Sequence, residues 1–150
     1  MVLLVIDTNK VIAALLRDGT VRRVLYYLYA TGIEVIAPRE VVDEVLEHVD
    51  ELSKRAGKTR EDTLSILEKY ILPKIKLYEL SEYIDYLNSA VKVCEKFDIE
   101  DEPFIALAMK YNCFIWSNDD DLREKQEAVK VLTTREIINI IEKIDPSTLF

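Results

Sequence analysis

The chain has 150 residues, 49% of them hydrophobic, which suits one packed core and leaves no room for two domains. No apolar run approaches the length of a membrane span and no basic segment leads into a signal-type stretch, so a cytoplasmic location is expected. With 28 acidic residues against 20 Lys and Arg, the net charge of −8 excludes nucleic-acid binding by bulk attraction, and an RNA partner would need a local basic patch or bound cations.

Short apolar, β-branched runs alternate with longer helical patterns. Residues 2–6 (VLLVI) predict a strand ending at Asp7, followed by helices near 9–16 and 21–30. Residues 33–37 predict the second strand. A helix is expected over 38–54, opened by Pro38, whose missing N–H costs little at a helix start. Its buried stripe would be Val41, Val42, Val45, Leu46, Val49 and Leu52. The stretch SKRAGKTR, with Gly57 inside it, separates that helix from another at 60–72, so residues 38–72 read as an inserted helical hairpin. A strand at 75–78 and helices near 82–97 and 101–111 come next. The strand CFIW at 113–116, a helix near 120–126, a strand at 129–132 and a helix at 134–144 complete the chain. Fully apolar strands belong in a sheet covered on both faces, and the alternation predicts an α/β, three-layer sandwich with a mostly parallel, roughly five-stranded sheet.

Open parallel sheets place their working residues just beyond the carboxyl ends of strands. Two strands here run directly into such residues, VLLVI into Asp7-Thr8-Asn9 and CFIW into Ser117-Asn118-Asp119-Asp120-Asp121. Taken singly, either acid also reads as a helix N-cap. Asp101, in DEPFIALAMKY, lies in line with Ile105 and Ala108 on a helix apolar around much of its surface, which carries its carboxylate toward the sheet. Asp98 and Glu102 compete with it within that acidic run. Glu44 shares a helical row with Val41 and His48, so it borders the buried stripe more closely than Glu40, Glu47 or Glu51, although a solvated surface Glu has the same spacing. Carboxylates gathered in a low-dielectric pocket cannot all ionise without a cation. Hard oxygen donors without Cys or His favour Mg²⁺ or Mn²⁺, a metal class suited to phosphodiester chemistry.

The order hydrophobic strand–DTN, P-x-x-V-V-D-E-V, D-x-P-F-I-A-L-A, then a strand followed by S-N-D-x-D-L resembles the PIN-domain nuclease family over nearly the whole chain. The resemblance implies a single PIN domain over 1–150 and a Mg²⁺- or Mn²⁺-dependent endoribonuclease acting on single-stranded RNA. It maps Asp7, Glu44, Asp101 and Asp119 onto metal-binding catalytic acids. Thr8, Asn9 and Ser117 become supporting groups, and Asp121 a further acid. Where this chain has Ser117 the family more often has Thr, which keeps the hydroxyl. The stand-alone length is most similar to VapC-type toxins of toxin–antitoxin pairs. That implies a small antitoxin partner and a homodimer formed through the early helices.

A haloacid-dehalogenase-type phosphatase or phosphotransferase also begins with an Asp after its first strand but needs a second Asp two residues on, where Asn9 stands. A Toprim-like nuclease wants a Glu where Asp7 stands. A non-catalytic PIN-fold module binding RNA or protein is the remaining alternative. Two basic clusters, Arg17, Arg22 and Arg23, and Lys54, Arg55, Lys58 and Arg60, are candidates for RNA phosphate contacts, or else solvated loop charge. His48 reads as an exposed helical His, and Tyr26, Tyr27 and Tyr29 as packing residues with hydroxyls at the rim. Cys94 and Cys113 lack metal spacing and read as small buried hydrophobes.

Overall fold

The computed structural model describes residues 2–95, 101–148 and 150. Five strands form one sheet in the order β3-β2-β1-β4-β5, with every neighbouring pair parallel. They are β1 (Leu3–Ile6), β2 (Glu34–Pro38), β3 (Ile75–Tyr78), β4 (Phe114–Trp116) and β5 (Val131–Leu132). Val5, Ile6, Ile36, Ala37, Ile115 and Trp116 are fully buried, as strands covered on both faces must be. The helices are α1 (Thr8–Leu16), α2 (Thr20–Ala30), α3 (Glu40–Glu47), α4 (Val49–Ala56), α5 (Arg60–Ile66), α6 (Leu80–Tyr83), α7 (Leu87–Cys94), α8 (Glu102–Tyr111), α9 (Asp120–Glu124) and α10 (Thr134–Ile144). One layer is led by α8, which packs across β1, β2 and β4 and against α6 and α7. The other contains α2 on β2 and α10 on α2 and β5. This is the expected three-layer sandwich, with a sheet that is parallel throughout.

The departures from expectation are local. Pro38 does not start a helix; it ends β2 in register with Tyr78, and Arg39 N–H continues the ladder by donating to the Tyr78 carbonyl at 2.9 Å. Strand ends tolerate a residue without an N–H. The single helix expected over 38–54 divides at His48, whose φ of −110° and ψ of 10° leave the helical region. Across the turn the buried row stays in phase, with Val41 and Val45 on α3 and Val49 and Leu52 on α4 at i, i+4, i+8, i+11 spacing, while Leu46, beside that row, is 41% exposed instead of lying in the stripe.

The helix expected over 60–72 is α-helical only to Ile66, then widens into a π turn at Leu67–Ile71 and a 3-10 turn at Leu72–Lys74. Pro73 is the cause: an α-helix continuing through it would press its ring on the Lys69 carbonyl. Gly57, at φ 65°, supplies the left-handed residue that ends α4 before α5 begins. The helix expected over 82–97 starts earlier, at Leu80, and is interrupted by a 3-10 turn at Ile84–Tyr86. There the backbone of Tyr83 bends to φ −127°, placing its ring fully inside the core and its hydroxyl on Glu40 at 2.7 Å. The end of that expected helix, and Asp98 with it, lies outside the described residues. Cys94 is buried and Cys113 half-buried, and burial pushes the Cys113 thiol up to about 11.

Candidate functional site

The site is built on the central strand. β1 lies between β2 and β4, and Asp7 follows its last residue, with its N–H donating to the Trp116 carbonyl of β4 at 3.2 Å. Its carboxylate caps α1 by accepting the Lys10 N–H at 2.9 Å. Asp7 is only 7% exposed, and burial raises its pKa above the ordinary carboxylate value. The Ser117 hydroxyl, the Lys10 N–H and the Lys10 charge oppose that rise, while the charge of Asp119 adds to it. The ammonium of Lys10 is in turn lowered, chiefly by its own burial, with Asp7 acting against the shift.

Ser117 joins the two strand ends. Fully buried, it hydrogen-bonds the Asp7 carboxylate and accepts the Asp119 N–H at 3.0 Å. Asp119 caps α9 by accepting the Leu122 N–H at 3.0 Å. From the other side, the Thr8 hydroxyl donates to the Glu44 carboxylate on α3. Asp101 caps the start of α8 without a side-chain bond to the helix N–H groups, and Pro103 sits in the first turn.

These residues face one cavity of about 570 Å³ at the carboxyl ends of the strands. Asp7, Thr8, Asn9, Glu44, Asp101 and Asp119 all line it. Four separate stretches of chain therefore deliver the four acids to a common hollow. Among the described residues no group of three acidic, His or Cys side chains is gathered closely enough to hold an ion. The donor set still has the chemistry a hard cation takes, carboxylates with hydroxyl and amide neighbours and no thiol.

Asp121 does not line the cavity; it is exposed and ion-paired with Lys125 at 3.0 Å. Glu102 lines it beside Asp101. Glu40, Glu47 and His48 line it as well, although the sequence reading set them aside. Their signal was present: positions 40, 44, 47 and 48 follow i, i+4, i+7, i+8 spacing, which puts them on one side of a helix. Of the basic candidates, Arg17 and Arg55 line a neighbouring cavity of about 670 Å³ that shares Asn9 and Ile12 with the acidic one. Arg22 is committed to the end of α1, donating to the Ala14 and Leu15 carbonyls at 2.7 and 3.0 Å, and Arg60 pairs with Asp50 at 2.7 Å. Tyr26 and Tyr29 carry the Lys74 ammonium over their rings, and Tyr27 packs edge-on against Phe150. Among the described residues no helix is long and apolar enough to cross a membrane.

No curated protein sequence matches the chain. Several solved structures share its fold. VapBC2 from Rickettsia felis, bound to a DNA fragment from their promoter, superposes with a TM-score of 0.69 at 14% identity, covering 87% of this chain and 98% of that one. FitAcB from Neisseria gonorrhoeae superposes with a TM-score of 0.59 at 20% identity, covering 88% and 98%. At sequence level the profile of the PIN domain matches residues 5–140, a span that runs from β1 through the acidic hollow into α10. The chain belongs to the PIN-domain family.

Proposed function

We propose that this protein is a Mg²⁺- or Mn²⁺-dependent endoribonuclease that cleaves single-stranded RNA in the acidic hollow. The observation that carries the reading is that Asp7, Glu44, Asp101 and Asp119, from four distant segments, line one cavity at the end of the parallel sheet. Asp7, Asp101, Asp119 and Glu44 would hold the metal, which supplies an activated water and neutralises charge building on the phosphate. The remaining work falls to the chain itself. Ser117 keeps the buried Asp7 ionisable by hydrogen-bonding its carboxylate, and ties Asp119 to the same point. Thr8 orients Glu44 from across the cavity. Asn9, exposed at the mouth, offers an amide to the substrate. Asp121, outside the cavity, would act only on the field at its rim.

Family membership supports a VapC-type toxin acting in the cytoplasm as a homodimer and restrained by a small antitoxin. The likeness to VapBC2 and FitAcB supports the fold part of that comparison. A short basic or DNA-binding protein encoded in the neighbouring reading frame would be the expected partner. The test of activity is labelled single-stranded RNA incubated with and without Mn²⁺, beside Asp7→Asn and Asp101→Asn. Cleavage that requires Mn²⁺ and falls at least about a hundredfold in both variants is expected. Cleavage surviving both would overturn the assignment.

One observation favours a second reading, a non-catalytic PIN-fold module that binds RNA or protein: among the described residues the acids do not already enclose an ion site. Calorimetric titration separates the two. The nuclease takes up Mn²⁺ in a way that Asp7→Asn weakens; the binding module shows no carboxylate-dependent uptake.

A further inference from the structure

The net charge of −8 and the carboxylates around the hollow repel a polyanion, so an RNA strand must be gripped outside the hollow. The neighbouring cavity answers that need. It runs between α1, the start of α2 and the end of α4, and Asn9 and Ile12 line both cavities, so the two are continuous along α1. Its cations are Arg17 and Arg55, set over an apolar floor that includes Ala13 and Leu16. Among the described residues neither arginine has an ion-pair partner, whereas Arg39, Arg60 and Arg123 are all paired with carboxylates. Two unpaired guanidinium groups beside an apolar strip are the complement of a phosphodiester chain whose bases or riboses lie on the strip.

We propose that this cavity is the substrate track of the enzyme: Arg17 and Arg55 hold the phosphates of single-stranded RNA flanking the bond presented to the acidic hollow. The proposal rests on the ribonuclease reading above. Arg17 follows the nine residues of α1, which begin directly after Asp7. At the helical rise the two positions are about 15 Å apart, or roughly four to five stacked nucleotides at about 3.4 Å each. Arg17 and Arg55 would act as binding residues, with no part in the chemical step.

The test is fluorescence anisotropy of a labelled uridine dodecamer in chelator, across a salt series, with wild type, Arg17→Ala, Arg55→Ala and the double variant. Arg17→Lys and Arg55→Lys serve as charge-preserving variants, and Lys143→Ala, on the exposed face of α10, as a surface control. Each alanine variant should weaken binding at least about tenfold, and the double variant should lower the slope of log affinity against log salt by about 1.4, near 0.7 per lost phosphate contact. The lysine variants should recover most of the slope, and Lys143→Ala should match wild type. In cleavage assays with Mn²⁺, KM should rise with kcat unchanged on the dodecamer, while a trimer too short to reach the track shows no difference between variants and wild type. Arginine variants that bind and cut the dodecamer like wild type would overturn the track and leave the nuclease reading standing. Arginine-dependent binding by a wild type that never cuts would instead overturn the nuclease reading.

Discussion

Because Asp7 is almost fully buried, ionising it costs desolvation energy that the Lys10 N–H and the Ser117 hydroxyl only partly return. Its folded pKa lies above the unfolded one, so the folded chain keeps this proton to higher pH. The site therefore favours folding at low pH and works against it as pH climbs from the unfolded pKa through the raised value. Asn at this position would keep the cap on α1 without the buried charge. Asp7→Asn should thus lose cleavage yet melt a few degrees higher than wild type at pH 7 in chelator, with the advantage shrinking toward pH 4. Thermal melts at the two pH values check this, and a lower melting temperature for the variant at pH 7 would contradict it. Asp7 was nominated in the sequence because a buried run stops at a carboxylate, and Asp119 because it follows the second buried run by way of Ser117 and Asn118. Glu40, Glu47 and His48 share a helical side with Glu44, but a polar residue on an amphipathic helix reads as solvated until another element closes over it.

At the level of elements, side-chain caps fix several helix starts. α10 begins with a reciprocal box: the Thr133 hydroxyl accepts the Glu136 N–H at 3.2 Å and the Glu136 carboxylate accepts the Thr133 N–H at 3.1 Å. Thr133→Ala should therefore destabilise the protein by about 1 kcal/mol, read as a lower urea midpoint with unchanged slope. An unmoved midpoint would mean that packing alone sets this helix end. The parallel sheet was foreseeable from apolar runs alternating with helical ones, whereas the strand order β3-β2-β1-β4-β5 emerges only in the structure. The break after Tyr83 was harder to foresee, because it answers a demand from outside the local pattern. Tyr83 leaves the helix so that its hydroxyl can meet Glu40, 43 residues away in the chain. Leu46 is exposed because it stands beside the row formed by Val41, Val45, Val49 and Leu52, so the stripe is narrower than the apolar residues of 38–54 suggest.

The molecule as a whole separates its surfaces. The hollow opens at the carboxyl ends of the strands, while an apolar groove of about 400 Å³, edged by Val2, Phe114, Ile140 and Ile144, lies toward the opposite ends of β1 and β4. The proposed homodimer would pair through the early helices. Light scattering at micromolar concentration should then give twice the 17.4 kDa chain mass, and a particle of one chain mass would remove the homodimer. The foundations under the acids are also unequal. The Asp7 amide belongs to the central ladder, bonded to Trp116, whereas Asp119 rests on a helix of five residues and is itself exposed. Amide exchange in heavy water should accordingly be slow at Asp7, close to that of global opening, and much faster through residues 119–124. One bank of the hollow is as immobile as the core, and the other is free to breathe around whatever enters.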